Sequence, residues 1–420
     1  MLAVNFSEFI DPNPNPGNKF GHSVVSLSTG NVVITSPYDD AGGTDAGAVY
    51  LFNGQTGALI STLTGSSNED QVGSNGVTAL TNGNYVVRSN DWDNDTVSDT
   101  GAVTWGSGTT GISGVVSDQN SLVGSRTSDK VGSNGVTALT NGNYVVRSSV
   151  WNNGGIVNAG AVTWGSGSSG ISGVVNAQNS LVGSTAGDQV GISGVTALTN
   201  GNYVVRTSRW DNSTVINAGA VTWGSGSSGI SGVVNAQNSL VGSTAFDLVG
   251  NSGVTALTNG NYVVASSGWD NSGVGTAGAV TWGSGSSGIS GVVTDHNSLV
   301  GSTAYDQVGN SGVTALTNGN YVVASSYWSN NGLQFAGAVT WGNGSSGISG
   351  VVNAQNSLVG STFHDQLGYD GVTALTNGNY VVASSYWSNN GVINAGAVTW
   401  GSGSSGISGV VNAQNSLVGS

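Results

Sequence analysis

The twelve residues Gly-Val-Thr-Ala-Leu-Thr-Asn-Gly-Asn-Tyr-Val-Val begin at Gly76 and return unchanged at Gly135, Gly194, Gly253, Gly312 and Gly371. The spacing is 59 residues every time, with no slippage. Self-similarity at a fixed period overrides any domain count taken from the 420-residue length, because each copy must be one supersecondary unit leaning on its neighbours. No heptad or helical period runs through a copy; the pattern is strand-like throughout.

In the copy that starts at Gly76, "GVTAL" is followed by Thr81-Asn82-Gly83-Asn84 and then "YVVRS". Asn-Gly between two apolar runs predicts a hairpin closed by a type I′ turn, in which both central residues take positive φ. The polar loop "NDWDNDTVSDT" leads to "GAVTW", with Val103 and Trp105 on one face, and a Gly/Ser-rich connection reaches "NSLVGS". That makes four short antiparallel strands, too few to bury both faces of their own sheet. Neighbouring copies must cover one another, and radial packing of such sheets is the β-propeller arrangement.

Residues 20–73 form a divergent first unit. Phe20-Gly21, Ser36-Pro37 and the run Gly47-Ala48-Val49-Tyr50-Leu51-Phe52 resemble the FG-GAP repeat of integrin-α-like propellers. One such unit and six derived ones, near 74–132, 133–191, 192–250, 251–309, 310–368 and 369–420, predict an all-β, seven-bladed β-propeller with four antiparallel strands per blade. It occupies 18–420 as one domain. Residues 1–17 are expected either to close the ring as a strand or to belong to a blade cut away. The near-identical copies also resemble repeats of filamentous-haemagglutinin-like bacterial surface proteins, a resemblance that implies an extracellular or cell-surface location and no enzymatic activity.

Charged residues are 7% of the chain and the formal net charge is −14, mainly because Lys and Arg number only 7. Binding to nucleic acid or to anionic membrane needs basic side chains, so neither is expected as a partner. The absence of cysteine rules out disulfides, thiolate metal sites and thiol nucleophiles. No 18-residue apolar run is present, so no membrane insertion is expected, and the ending at "NSLVGS" reads as a monomeric segment excised from a longer chain.

No cofactor, metal or catalytic residue is expected. The resemblance to integrin-type propellers implies calcium in the strand 1–2 loop, but here that loop is the short Asn82-Gly83 turn, unable to supply six to eight oxygens. Asp91, Asp93 and Asp95 alternate in one 2–3 loop, yet the next copy has Val150, Asn152 and Gly154. His22, His296 and His364 form no catalytic set. Asp70, Asp129, Asp188, Asp247, Asp306 and Asp365, one in each 4–1 loop, read as turn-forming carboxylates that accept backbone N–H groups. Arg88, Arg147 and Arg206 end strand 2 in three copies where the next three have Ala265, Ala324 and Ala383; a buried arginine there calls for a carboxylate partner.

Each copy carries two tryptophans. Trp105, Trp164, Trp223, Trp282, Trp341 and Trp400 align with Leu51 and are expected in the core between blades. Trp92, Trp151, Trp210, Trp269, Trp328 and Trp387 lie in the 2–3 loops, each followed two residues later by Asn94, Asn153, Asn212, Asn271, Asn330 or Asn389. This Trp-x-Asn is either a plug folding the loop onto its blade or a ligand contact. Drift between copies concentrates in the 2–3 and 4–1 loops, which leave one end of an up-and-down blade, and it brings in Tyr327 and Tyr386. Tyr, Trp, Ser, Asn and Gly make adaptable recognition loops. The expectation is a non-enzymatic, multivalent recognition module that binds a glycan or a cell-surface protein through those tryptophans, asparagines and tyrosines; the rival is a structural spacer without a ligand. With no calcium loop, a chelator is expected to leave Tm unchanged in a thermal melt, whereas a drop would reveal a bound cation.

Overall fold

The computed structural model describes residues 8–419. The chain is all-β and is built as seven propeller-type blades of four antiparallel strands each. Blade 1 comprises Ser23–Ser26, Val32–Ser36, Ala48–Phe52 and Leu59–Thr64. Blade 2 comprises Val77–Ala79, Tyr85–Ser89, Ala102–Gly106 and Ser121–Val123, and blades 3 to 7 repeat it, blade 7 ending with Ala397–Gly401 and Ser416–Val418. The chain divides into two compact units, Met1–Val195 with Ser225–Val233, and Thr196–Gly224 with Val234–Ser420.

Within a blade, β-branched and aromatic residues set the pairing. Tyr85, Val87 and Ser89 pair with Gly106, Thr104 and Ala102, and the Thr104 hydroxyl meets the Ser121 hydroxyl of strand 4 at 2.7 Å in the buried interior. Every later copy repeats this hydroxyl pair, a cross-strand contact that pins strand 3 to strand 4. The 1–2 turn differs from expectation: only Gly83, at φ +89°, takes the left-handed conformation, and the Leu80 and Asn84 backbones close a three-residue loop, Thr81 to Gly83. It is a turn followed by a left-handed glycine rather than type I′, so the Asn is freed to use its side chain elsewhere.

The fifth strand was not legible in the sequence. The 3–4 connection of each of blades 2 to 7 contributes two residues in parallel to strand 4 of the preceding blade, beginning with Gly114–Val115 on Leu63–Thr64 of blade 1. The same connection brings one glycine carbonyl to the preceding blade. Gly167 O accepts Asn82 Nδ2 at 2.8 Å, Asn84 Nδ2 at 2.7 Å and Trp105 Nε1 at 3.0 Å. The three donors and one acceptor recur at Gly226, Gly285, Gly344 and Gly403. On blade 1, where Leu51 replaces the tryptophan, Thr29 Oγ1 and Asn31 Nδ2 hold Gly108 O instead.

Strand residues of one blade share each apolar layer with strand and loop residues of the next. In one, Leu316, Val322, Val339 and Leu358 of blade 6 meet Tyr380, Val382, Trp387 and Val411 of blade 7, with Ile407 packed against them. Blade 1 is covered on its other side by the N-terminal segment, with Phe9 against Phe52 at 5.4 Å and Phe20 against Tyr50 at 6.0 Å. Of the residues expected to close a ring, 1–7 lie outside the described residues, and 8–17 form no strand. They lie against blade 1 through Asn13 Nδ2 on Asp39 (2.7 Å) and Asn15 Nδ2 on Asp40 (3.0 Å).

In blades 3 to 7 the glycine after the connecting turn sits directly on the preceding blade's strand 3 tryptophan: a Cβ on Gly288, at φ +75°, would stand 2.6 Å from Trp223 Cβ. Gly288→Ala combines left-handed strain with overpacking and is expected to destabilise the chain by roughly 2–5 kcal/mol in urea unfolding.

Candidate functional site

The 2–3 and 4–1 loops come together at one end of each blade. Each 2–3 loop closes on itself, as where the Asn94 and Val97 backbones exchange two hydrogen bonds of 3.0 Å. At its base Gly101 N donates to Trp92 O, and the indole turns inward. All six loop tryptophans are only 3–4% exposed. Trp92 packs with Leu27, Val49, Leu63 and Val72 of the preceding blade and connection.

This burial overturns the ligand role expected for Trp92, Trp151, Trp210, Trp269, Trp328 and Trp387. A ligand cannot reach them, and they are the plugs between blades. The paired asparagines are structural as well. Asn153, Asn212, Asn271, Asn330 and Asn389 each donate from Nδ2 to the glycine carbonyl after strand 4, at 2.8–3.0 Å, and Asn94 does so at 3.4 Å. The strand 3 tryptophans, expected in the core, are instead layer edges: Trp105, Trp164, Trp223, Trp282 and Trp341 are partly buried with Nε1 holding the neighbouring repeat, and Trp400 is exposed. Polar neighbours in the loop hid one set, and valine alternation in the strand misplaced the other.

The arginines at the ends of strand 2 are half-buried. Burial holds the Arg88 and Arg206 guanidinium groups below their ordinary pKa. Arg147 and Arg206 donate to backbone carbonyls, those of Gly191 (3.4 Å) and Gly250 (3.3 Å).

What the loop end does expose is aromatic in the second unit. The residue before each 4–1 aspartate takes positive φ: Glu69, Ser128 and Gly187 early in the chain, then Phe246 (φ 67°), Tyr305 (φ 69°) and His364 (φ 64°). Phe246 is 56% exposed and Tyr305 66%. Phe335, at φ 54°, occupies a place held elsewhere by Asp99, Asn158, Asn217, Thr276 and Asn394. It stands edge-on to Tyr327 at 5.4 Å and 5.0 Å from His364, which in turn meets the exposed Phe363 at 4.0 Å. Tyr386 is exposed and lies edge-on to exposed Tyr369 at 5.2 Å. Of the sequence candidates, then, Tyr327 and Tyr386 remain at an accessible cluster; Phe246, Tyr305, Phe335, Phe363 and Tyr369 were missed as site residues. The signal for them was the type of residue standing where its neighbours in the repeat series have small or polar ones.

In the first unit the loop end is charged. Lys130 Nζ bridges Asp91 (3.0 Å) and Asp99 (3.4 Å). Beside it a shallow groove is lined by Val97, Arg126, Asn152 and Val157. Among the described residues, no cluster of three or more metal-ligating side chains occurs.

Six successive stretches, residues 79–133, 138–192, 197–251, 256–310, 315–369 and 374–420, match the family model described as Repeat of unknown function (DUF5650). The chain belongs to the DUF5650 repeat family. Residues 5–52 match the FG-GAP repeat, starting upstream of Phe20 and so taking in part of the segment that packs on blade 1. No curated protein matches the DUF5650 chain. Solved structures similar to it include the C-terminal WD40 domain of Sif2, at 11% identity and a TM-score of 0.31 over 87% of this chain and 78% of that one. A eukaryotic initiation factor matches at 8% identity and a TM-score of 0.38, over 93% and 75%. Likenesses of this size carry no functional argument.

The 4–1 aspartates of the DUF5650 repeats are fully buried and bind backbone, as expected from turn chemistry. Asp247 Oδ2 accepts Ser243 N and Thr244 N at 2.8 Å, and its Oδ1 accepts Asp270 N, from the next repeat, at 3.0 Å. Burial raises the pKa of Asp70, Asp247 and Asp306 from the ordinary carboxyl value, against the lowering effect of those N–H donors. A carboxyl whose pKa is raised by folding holds its proton more tightly in the folded chain. Its contribution to stability is complete below the unfolded carboxyl range and is lost as pH rises through the folded value. Tm is therefore expected to fall as pH is raised from about 4 to 7, with a shallower fall in the Asp247→Asn, Asp306→Asn double variant, measured by calorimetry across that range.

Proposed function

We propose that this DUF5650 repeat chain is a non-enzymatic recognition module of a secreted or surface-displayed, adhesin-like protein, and that it binds a glycan multivalently through the exposed aromatic residues of its 2–3 and 4–1 loops. One observation carries the reading: Phe246 and Tyr305 are held in the left-handed region with their rings in solvent. A bulky residue there costs about 1–2 kcal/mol, and an exposed ring returns nothing to folding. Neighbouring repeats show that serine, glutamate or glycine serves the turn as well. Strain retained without a packing gain points to presentation of the ring.

Flat tyrosine and phenylalanine faces suit the apolar faces of sugars, and the asparagine, serine and aspartate side chains around them suit hydroxyl groups. Repetition at 59-residue intervals would turn weak single contacts into useful avidity. The rival reading, a spacer without a ligand, is favoured by the burial of Trp-x-Asn and of the aspartates, which makes every strictly repeated loop residue structural.

A glycan and cell-surface-protein array separates the two. The recognition reading expects hits that weaken at least tenfold in the Phe246→Ala, Tyr305→Ala, Tyr386→Ala variant, while Tm stays level, because alanine keeps the same backbone conformation and removes only exposed rings. A blank array, or hits that the triple variant retains, favours the spacer.

A further inference from the structure

The six glycine-carbonyl contacts between repeats leave one receptor empty. In blade 6, Asn318 Nδ2, Asn320 Nδ2 and Trp341 Nε1 converge on Gly403 O at 2.8, 2.8 and 3.0 Å. Gly409–Val410 then pairs in parallel with Leu358–Val359, and the Val411 N–H donates to Val359 O at 3.1 Å. Val339 and Leu358 beneath that cover are fully buried.

Blade 7 carries the same set one period on: Asn377, Asn379, Trp400, Val398 and Leu417. Neither asparagine's Nδ2 has an acceptor among the described residues, although Asn377 Oδ1 and Asn379 Oδ1 are engaged in their own repeat. No fifth strand lies on Ser416–Val418. Trp400 is 55% exposed and Leu417 81%, where Leu358 has no exposure. Two shallow depressions flank this surface, one lined by Val381, Val398, Trp400 and Leu417, the other by Ala383, Val398, Leu417 and Val418.

We propose that this side of blade 7 is a docking site for a further 59-residue repeat of the same family, received through its Gly/Ser-rich 3–4 connection. The occupant follows from the chemistry of the five filled receptors of this type. It must present one glycine carbonyl to three converging N–H donors, a glycine flat enough to lie on the indole, an isoleucine over the apolar layer and a Gly-Val pair for the strand edge. Gly406, whose Cβ would stand 2.6 Å from Trp341 Cβ, Ile407 and Gly409–Val410 supply these to blade 6. A second copy of the chain has no such segment to spare, because all six of its connections are already engaged on its own blades. The inference stands apart from the ligand reading above, since it uses the opposite loops.

The chain has no cysteine, so Leu417→Cys places a single reporter on the open face. Its labelling by a maleimide is compared in the chain and in the chain extended after Ser420 by a copy of residues 362–420. Docking expects labelling at least a hundredfold slower in the extended chain, and recovery of the fast rate when the copy carries alanine in place of the glycine equivalent to Gly406, or when Asn377→Ala, Asn379→Ala and Trp400→Phe are combined. Val398→Cys provides the same readout at a second place, in case Leu417 itself is needed for docking. Equal labelling of both reporters in the two chains overturns the proposal. So does slow labelling of the unextended chain together with sedimentation as a dimer, which would make a second copy the occupant.

Discussion

A sheet of four strands, each three to six residues long, has two faces to cover and no means of covering them alone. Everything else in this molecule follows from how one repeat covers the next. The apolar layer supplies the driving force, but it is non-directional and would tolerate sliding. The single glycine carbonyl gripped by two asparagine amides and an indole removes that freedom. Each bond is worth about 1 kcal/mol net, so the set adds little to total stability compared with the buried side chains. Its value is in register: three donors aimed at one oxygen admit one placement of the connection, and the parallel Gly-Val pair then falls on the strand edge.

That contact explains why the period never slips. The asparagine-to-carbonyl bonds span 85 and 83 residues and the tryptophan bond spans 62 in every instance. They therefore measure the chain across a strand 2–3 loop, a 4–1 loop and a 1–2 turn at once. An inserted residue in any of these would have to be absorbed locally or break three bonds and a strand pair. The 3–4 connection is as constant as a strand because it behaves as one, and its constancy beside variable loops at the other end of the blade reflects this use.

Much of the fold could be read from residues alone. Alternating valines with Tyr85 and Gly106 marked strands 2 and 3, and the aspartate before each 4–1 glycine was recognisable as a turn acceptor. What failed did so where a side chain's fate is decided by another repeat. Trp92 sits among Asn90, Asp91, Asp93 and Asn94, a setting that reads as solvent, yet the loop folds back and drives the indole under its neighbour. Trp105 sits in phase with Val103, a setting that reads as core, yet it lies at the layer's edge with Nε1 committed to a carbonyl 62 residues away. Gly114–Val115 is two residues long and pairs in parallel with a different blade, so neither alternation nor turn chemistry signals it.

The same constraint locates where variation is affordable. A residue in the 4–1 loop just before the buried aspartate has its φ dictated by the turn, since the carboxylate holds the two preceding-loop N–H groups and one from the next repeat. Its backbone is fixed, but its side chain points away from every layer, so glutamate, serine, glycine, phenylalanine, tyrosine and histidine all fit. The backbone that makes the position strained also makes it a rigid pedestal. A ring placed there loses little further entropy on binding, because the main chain beneath it is already held at both ends. Invariant packing and variable presentation are thus two consequences of one arrangement: the tighter the repeats grip each other, the more stiffly each offers the few side chains that the grip does not use.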